Sequence, residues 1–573
     1  MKKIILLCAI AFLAGACSDF LDEKVFSQTE AGKMYRTYEE ADQAAMGMYK
    51  VFSANGGMNS RWQALLTYGT DEARCYYQNA KIDDQFYKIS NFSHTAGDTH
   101  ITNMWSTIYM GIGLANDVWQ KVTAMTGITE ERKQPLLAEA AFMRAYLYFT
   151  LVQLWGPVRL TTEAPNYDNV VERHVTRASI AKVYEQITTD IEYAKLYLPV
   201  TRDSGMAGRP TRYSAYGMAA KIYLTMASGS RFGVAGHECF DPATYYGLAK
   251  ENAAAVMDDA ECPYDLVDDY ESVFLMSNKH NPEILFEACF EITGPGSQWP
   301  KMGGPKNEGG NTAYSYSTYG PTGRGYLRPS VYLATSVYGV ALSVNASTGD
   351  VTAESSDDVR YDCNIVRYAV GKNGERVHKN NCEHWIAHKF SLRTSDMAGF
   401  TWTTVPMNHP ILRYADVLLI YAEAAGMLDL ADQSAYDALN RVRQRARRKG
   451  TTPEYLKDWK IGDLTDIDAF MDAVLDERMR ELCFEGHRRL DLLRTSRLFK
   501  ALDRMKAADE SLSPKLAERA VKCDWTQQLY GSNVKAYHVL FPIPQSEMNV
   551  ASNSDYYQNP GWDGLSAETA SGE

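Results

Sequence analysis

The chain has 573 residues and a formal net charge of -12, with 59 Lys and Arg against 71 Asp and Glu. This acidic balance disfavours a nucleic-acid partner, because binding to phosphates requires a basic face, and we interpret the basic run from Arg441 to Lys449 as the solvated end of a helix. The ten cysteines form no C-x-x-C pair, so zinc and thioredoxin-type sites have little support.

The start of the chain has the pattern of an export signal. Two lysines precede an apolar run from Ile4 to Leu13, and small residues lead into Cys17. The run is shorter than the about 20 apolar residues that a membrane-spanning helix needs. We therefore expect residues 1–16 to be a signal peptide, and residues 17–30 to be a tether whose lipidated Cys17 holds the chain to a membrane. A plain secretory signal with an incidental cysteine is the alternative.

Apolar residues recur at helical spacing along most of the chain. No Gly or Pro lies between Leu136 and Trp155, and the Gly156-Pro157 pair then ends the predicted helix. The same spacing predicts helices near 37–53, 103–122, 179–197, 212–227, 243–257, 409–426, 433–447 and 472–494. Paired helices of this length resemble tetratricopeptide-like units, although the sequence has no clean period of about 34 residues. The predicted fold class is mainly α.

The middle of the chain has a different composition. Nine glycines and four aromatic residues lie between Gly294 and Gly325. Glycine permits irregular backbone whereas an aromatic ring needs neighbours, so we expect an ordered surface excursion built around rings. A few short strands are expected near 328–345 and 361–390.

A dense charged cluster lies in the last predicted long helix. Its members are Glu477, Arg478, Arg480, Glu481, Glu485, His487, Arg488 and Asp491. Such a cluster can mimic a metal or acid–base site, but His487 has no second histidine four residues further on. We therefore predict a buried salt-bridge network that holds the last helices together. Trp105, Trp155 and Trp562 are predicted to be core residues.

Eight parts of the chain resemble the SusD/RagB family of glycan-binding lipoproteins, in the order that the family has. They are CSDFLDEK at 17–24, MWSTIYMGIGLAND at 104–117, EAAFMRAYLYFTLVQLWGPVRL at 139–160, RPTRYSAYGMAAKIYL at 209–224, DDVR at 357–360, HPILRYADVLLIYAEAAG at 409–426, LDERMRELCFEGHRRLDLLR at 475–494, and HVLFPIPQSEMN with QNPGW at 538–549 and 558–562. Together they span nearly the whole chain.

The resemblance implies a single unit over residues 31–573. Its tetratricopeptide-like scaffold is expected over 31–260 and 405–500, its irregular, loop-rich ligand-binding part over about 260–405, and a C-terminal segment over 500–573. The resemblance also implies a protein that is not an enzyme. It is expected to be lipid-anchored and exposed at the outer membrane, where it captures glycan and delivers it to a SusC-type TonB-dependent transporter.

Sugar rings present apolar C–H faces that stack on aromatic rings, while their hydroxyls need polar partners. The 37 Tyr against 19 Phe fit such a surface. The resemblance implies that the glycan site draws on residues 74–81 and 299–326. The candidate stacking residues are Tyr76, Tyr77, Trp299, Tyr314, Tyr316 and Tyr319, with Arg74, Asn79 and Asn311 as hydrogen-bond partners. For each ring, the alternative is that it fills the small core of its own loop.

Two other function classes stay open. A glycoside hydrolase needs two carboxylates about 5 to 9.5 Å apart, and no local motif marks such a pair among the 71 acidic residues. Some relatives resemble peptide-uptake partners, so a peptide-capturing RagB-like lipoprotein is the second alternative. No cofactor is expected, and calcium at Asp357-Asp358 is left unassigned because no EF-hand pattern is present.

Overall fold

The computed structural model describes most of the chain. The described residues are 35–53, 59–75, 84–164, 176–291, 294, 296–303, 326–344, 351–353, 356–366, 368–370, 376–378, 385–391, 405–518, 533–550 and 556–562. Their fold is mainly helical with a few short strands, which confirms the predicted fold class. No helix among these residues combines the length and the hydropathy that a membrane span requires.

Most helices lie close to the predicted positions. In chain order they are α1 (Tyr38–Gly47), α2 (Lys50–Ser53), α3 (Ser60–Thr67), α4 (Asp84–Ser90), α5 (Thr99–Ala124), α6 (Glu130–Trp155), α7 (Ile180–Tyr197), α8 (Arg212–Arg231), α9 (Pro242–Met257), α10 (Trp299–Gly303), α11 (Val359–Asn364), α12 (Tyr414–Leu428), α13 (Gln433–Arg445), α14 (Ile467–Leu482), α15 (Arg488–Arg494), α16 (Leu498–Glu510) and α17 (Gln545–Val550). Helix α6 begins before the predicted stretch and contains Pro135. One proline removes one backbone hydrogen bond, and the acidic Glu130 and Glu131 stabilise the first turn.

Consecutive helices pack as pairs. Helix α5 packs on α6, α8 on α9 and α12 on α13, while the α6–α7 and α9–α12 contacts join these pairs. Gly426 in α12 leaves room for the ring of Phe470 in α14, because a Cβ at this position would overlap with that ring. The indoles of Trp105 and Trp155 meet edge to face with centroids 5.4 Å apart, and Trp562 is buried too. The three predicted core tryptophans are therefore confirmed.

The described strands form antiparallel pairs. They are β1 (Ala73–Cys75) with β3 (Leu327–Pro329), β2 (Ile284–Ala288) with β10 (His409–Arg413), β4 (Leu342–Val344) with β5 (Val351–Ala353), β6 (Ile365–Val366) with β9 (Ile386–Ala387), and β7 (Tyr368–Val370) with β8 (Arg376–His378). The short strands expected near 328–345 and 361–390 are therefore present. A π-helical turn over Leu333–Val337 follows β3.

Two predicted helices are interrupted. The stretch 409–426 begins as strand β10 and becomes helix α12 only at Tyr414. Pro410 favours extended backbone in the residue before it, and β2 supplies the hydrogen-bonding partner. The stretch 472–494 is broken between α14 and α15, where Phe484 and Gly486 have φ angles of 66° and 88° in the left-handed region, which is incompatible with a continuous right-handed helix.

Candidate functional site

The two segments predicted to carry the ligand site meet at one strand pair. Strands β1 and β3 are antiparallel, with Cys75 opposite Leu327. The first predicted loop follows Cys75, and the second ends just before Tyr326. Both loops therefore leave the scaffold at the same end of this strand pair. The tertiary structure brings together two segments that lie far apart in the chain.

Hydrogen bonds hold the base of both loops. The backbone N–H of Cys75 donates to Ser90 Oγ over 3.0 Å. Ser330, directly after β3, donates from its backbone N–H to the Glu72 carbonyl over 3.0 Å and from its Oγ to the Asp71 carbonyl over 2.6 Å. Hydrogen bonds in a low-dielectric interior are stronger than in water, so both loops start from a fixed frame.

An aromatic cluster lies beside this base. The ring of Phe86 in α4 stacks on His100 of α5, with centroids 4.1 Å apart, and lies 6.4 Å from Tyr326. Phe86 and His100 are half-buried. Burial, with a smaller contribution from Arg61, lowers the pKa of His100 to about 4, so its imidazole is neutral at pH 7. No local motif in the sequence marks this pair, because the contact forms between two separate helices.

Trp299 does not have the position that was predicted for it. Its side chain is 1% exposed, and its indole stacks on His409 of β10 with centroids 3.6 Å and planes 10° apart. Phe390 lies 5.3 Å from the same ring. The predicted role of Trp299 in stacking on a sugar is therefore wrong. Its ring packs against β10 as part of the core and is not available to a ligand. Arg74, opposite Arg328 in the β1–β3 pair, is 8% exposed and is mostly interior as well.

The other candidate residues lie outside the described part of the chain. They are Cys17, Tyr76, Tyr77, Asn79, Asn311, Tyr314, Tyr316 and Tyr319. Their roles stay predictions. For the two loops that carry the tyrosines and asparagines, the described residues show the points at which each loop leaves and rejoins the scaffold.

The predicted charge cluster is a buried ion network. Its centre is Arg413 of β10, whose guanidinium pairs with the carboxylates of Glu283, Glu481 (3.0 Å) and Glu485 (2.7 Å). These four side chains have 0% exposure, and Lys389 also pairs with Glu485 at 2.8 Å. Buried charges persist when they are paired and hydrogen-bonded. The structural interpretation of this cluster is therefore confirmed.

Two carboxylates of this network, those of Glu477 and Glu485, cannot serve as general acids. Burial alone would raise the pKa of Glu477, but Arg360 and Arg443 outweigh it and lower the pKa to about 2. Arg413 and Lys389 outweigh burial at Glu485 in the same way and lower its pKa to about 2. Both groups are ionised at neutral pH, so neither can protonate a leaving group as the acid of a glycoside hydrolase must.

One buried acid, Glu72, has the opposite shift. Its side chain precedes β1 and is 1% exposed, and burial raises its pKa to about 8. Its Oε1 accepts a hydrogen bond from the Phe484 backbone N–H over 3.1 Å, while Oε2 has no hydrogen-bond partner among the described residues. A raised pKa in a cleft is typical of a catalytic acid. Glu72 lies in the interior instead, where a substrate does not reach it.

Two arginines of the basic run differ from the sequence interpretation. In the basic run at the end of α13, Arg443 is buried and donates to Glu477 over 2.8 Å, and Arg445 donates to Glu481 over 2.6 Å. The interpretation of this run as solvated is therefore wrong for these two residues, because buried carboxylates of the network pair with their guanidinium groups.

The Asp357-Asp358 pair is the position at which calcium was left unassigned. Both carboxylate oxygens of Asp358 accept hydrogen bonds from Arg360, so this carboxylate is unsuited to bind calcium.

Two family models match the chain. The one described as the SusD family matches residues 302–562, and the one described as starch-binding associating with outer membrane matches residues 19–224. The chain belongs to the SusD family. Strand β1 lies in one matched range and β3 in the other, so the strand pair at the base of the loops joins the two parts of this SusD family member.

Relatives and solved structures match nearly the full length of this SusD family member. A SusD-like protein of Formosa agariphila is 23% identical in an alignment that covers 96% of this chain and 97% of that protein. A solved SusD homolog from Bacteroides thetaiotaomicron has a TM-score of 0.75 at 22% identity, over 93% of this chain and 99% of the homolog. Surface glycan-binding protein A of the same species, in complex with laminarihexaose, has a TM-score of 0.64 at 18% identity, over 91% and 99% of the two chains. The structural matches show that the fold is shared.

Glycan-binding proteins of the SusD family are non-catalytic, which confirms the prediction that this family member is not an enzyme. The family associates with the outer membrane, as the description of the second model states. Family membership thus accounts for the helical scaffold and for the surface location. The residues that contact a ligand are a separate matter, because they lie in the loops.

Proposed function

We propose that this SusD family member captures glycan at the cell surface and delivers it to a SusC-type TonB-dependent transporter. The observation that carries the proposal is the convergence of two tyrosine-containing loops on the β1–β3 pair of a SusD-family scaffold. The neighbour in complex with laminarihexaose has the same fold, which makes laminarin the first glycan to test. A lipid on Cys17 would anchor the protein to the outer membrane.

The proposed site lies on the two loops and beside their base. Stacking on sugar rings is assigned to Tyr76, Tyr77, Tyr314, Tyr316 and Tyr319, and hydrogen bonding to Asn79 and Asn311. The half-buried Phe86–His100 pair extends the ring-lined surface at the base. Arg74 and Trp299 are reassigned to supporting the loops from below, because both are buried.

A polysaccharide panel that includes laminarin and starch tests the proposal. We expect slowed migration of the purified protein in a native gel that contains the bound polysaccharide, with no new reducing ends after incubation. Released oligosaccharide would instead show hydrolysis. The absence of any retardation, together with retention of peptides, would replace the glycan proposal by the peptide-capturing alternative.

Combined Tyr76→Ala and Tyr316→Ala substitutions are expected to weaken glycan binding by at least about tenfold, because the two rings come from different loops and a buried aromatic contact dominates such surfaces. The melting temperature should stay unchanged. Tyr557→Ala is the matched control, since this tyrosine is 49% exposed and lies outside both loops. Equal binding by the double variant and the control would remove the site assignment.

Co-purification tests the transporter partnership separately. After mild detergent extraction of outer membranes, we expect an affinity-tagged form of the chain to recover a TonB-dependent barrel protein. A Cys17→Ala variant should be lost from the membrane fraction, because acyl chains supply its attachment. Recovery of the tagged chain alone, under conditions that preserve comparable complexes, would contradict the partnership while leaving glycan binding intact.

A further inference from the structure

Three side chains with metal-binding atoms converge around strand β2. His280 lies in the turn before the strand, Glu287 within it, and Cys289 directly after it. Their ligand atoms all lie within 4.8 Å of one another. Glu287 and Cys289 are two residues apart in extended chain, which places both side chains on one face. His280 has a φ of 55° in the left-handed region, in the turn that precedes β2.

The carboxylate of Glu287 has an incomplete charge partner. The residue is 4% exposed, and His280 Nδ1 lies 2.5 Å from its Oε1. No lysine or arginine among the described residues forms an ion pair with it. A buried carboxylate requires a positive partner, and an imidazole is charged only when it is protonated. Among the described residues, Glu287 therefore has no permanently charged ion-pair partner.

The arginines nearby are engaged elsewhere. Arg202 and Arg209 line the same cavity as Glu287. Arg209 pairs with Glu139 at 2.6 Å and with Asp42 at 2.7 Å, and Arg202 pairs with Glu139 at 3.2 Å. Two guanidinium groups thus neutralise Glu139, whereas Glu287 faces the histidine. A cation from solvent would complete the charge balance at Glu287.

The surroundings leave room for an ion. A cavity of about 230 Å³ borders His280, Glu287 and Gly208. A Cβ at Gly208 would overlap with Cys289 Sγ, so only glycine leaves room for the thiol at this position. Its φ of 89° is also one that residues with a side chain rarely adopt. The side chain of His280 is 34% exposed and Cys289 is exposed. An ion can therefore reach this position from solvent.

We propose that His280 Nδ1, the Glu287 carboxylate and Cys289 Sγ bind one zinc ion, with water as the fourth ligand. Imidazole, thiolate and carboxylate together are ligands of zinc, while calcium and magnesium prefer sets of oxygens. Zinc would bring the three atoms to about 2.0–2.3 Å from the metal, which requires shifts of the exposed histidine and cysteine side chains. The Cys289 thiol releases its proton to solvent on binding. This site is independent of the proposed glycan function.

Cobalt titration of the metal-stripped protein tests the site, because tetrahedral Co²⁺ bound to a thiolate absorbs light in the near ultraviolet. We expect one equivalent of Co²⁺ per chain, an absorption band from the thiolate, and displacement of Co²⁺ by Zn²⁺. Cys289→Ser should abolish the band, and His280→Ala should weaken binding by more than about tenfold. Cys239→Ser is the matched control, since Cys239 is also an exposed free cysteine.

The melting temperatures of the metal-free variants show whether they fold. We expect Cys289→Ser and His280→Ala to fold, because both substitutions are at the surface. Zn²⁺ is expected to raise the melting temperature of the unsubstituted protein and of Cys239→Ser, and to leave that of His280→Ala unchanged. The proposal is overturned if the unsubstituted protein binds less than a stoichiometric amount of Co²⁺. It is also overturned if the band persists in Cys289→Ser, or if His280→Ala binds as tightly as the control.

Discussion

Arg413→Ala is expected to lower the free energy of unfolding by about 3–5 kcal/mol, because it leaves three buried carboxylates without their shared cation. Glu283, Glu481 and Glu485 all pair with Arg413, and all four side chains have 0% exposure. Arg413 is the last residue of strand β10 and pairs with Glu481 in α14 and with Glu485 in the break after it, so its loss loosens the contact between the strand pair and the last helices. Denaturant unfolding at pH 7 measures the effect.

Arg448→Ala is the control for this substitution. Its side chain is 44% exposed and pairs with Asp362, which is 55% exposed, at 2.8 Å. An exposed pair contributes about 0–1 kcal/mol, since water and salt screen it. If the two arginine substitutions cost the same, the network around Arg413 would not have the structural importance assigned to it here.

Glu72→Gln is expected to increase stability at pH 7 by about 3 kcal/mol, an effect opposite to that of most substitutions at buried charged positions. Burial raises the pKa of Glu72 from its ordinary value of 4.5 to about 8. At pH 7 the folded chain must therefore hold a proton that the unfolded chain has lost. Glutamine has a similar shape, can accept the Phe484 N–H, and carries no titrating proton.

The sign of the pH dependence follows from proton binding. The contribution of Glu72 to stability is complete below its unfolded pKa of 4.5, and it is lost as the pH rises toward about 8. The advantage of Glu72→Gln should therefore shrink to less than about 1 kcal/mol at pH 5. Thermal unfolding at pH 5, 6, 7 and 8 measures this trend, with Glu454→Gln, whose side chain is 83% exposed, as the control.

A loss of stability in Glu72→Gln at pH 7 would contradict the expectation. It would mean that the carboxyl group is ionised in the folded chain, with Arg488 as the stabilising charge. Arg488 pairs instead with Asp71 at 2.6 Å, which is why we expect Glu72 to be neutral. The trend with pH separates the two cases, because an ionised Glu72 would favour the unsubstituted protein throughout the range.

Long helices were predictable because their signals are local. The apolar spacing before Trp155 and the Gly156-Pro157 stop place the end of α6 correctly, and the predicted ends of α7 and α9 are also correct. Helix α8 continues to Arg231, four residues beyond its predicted end. The break at Phe484–Gly486 was not predictable, because the charged residues on both sides also have helical spacing. Its left-handed backbone is held by contacts from elsewhere, such as the hydrogen bond from Phe484 to Glu72.

The candidate site was predictable in part. Family resemblance selected the two loops, and the Cys75–Leu327 pairing places their ends together. The orientation of Trp299 was not predictable, because a tryptophan among glycines is equally compatible with a sugar-binding surface and with a small core. Only the tertiary structure shows that His409 stacks on its indole. The same limit applies to His280 and Cys289, whose spacing matches no zinc motif.

The sequence by itself determined the mainly helical class, most helix ends and the family, because helix periodicity, capping residues and motif order depend on neighbours along the chain. Only the tertiary structure decided which charges are interior, which rings face inward and which loops share a base. Those outcomes depend on partners from distant segments: Glu283 and Arg413, for example, share a buried ion pair although 130 residues separate them. Burial and charge pairing are properties of the packed chain, so no local pattern in the sequence encodes them.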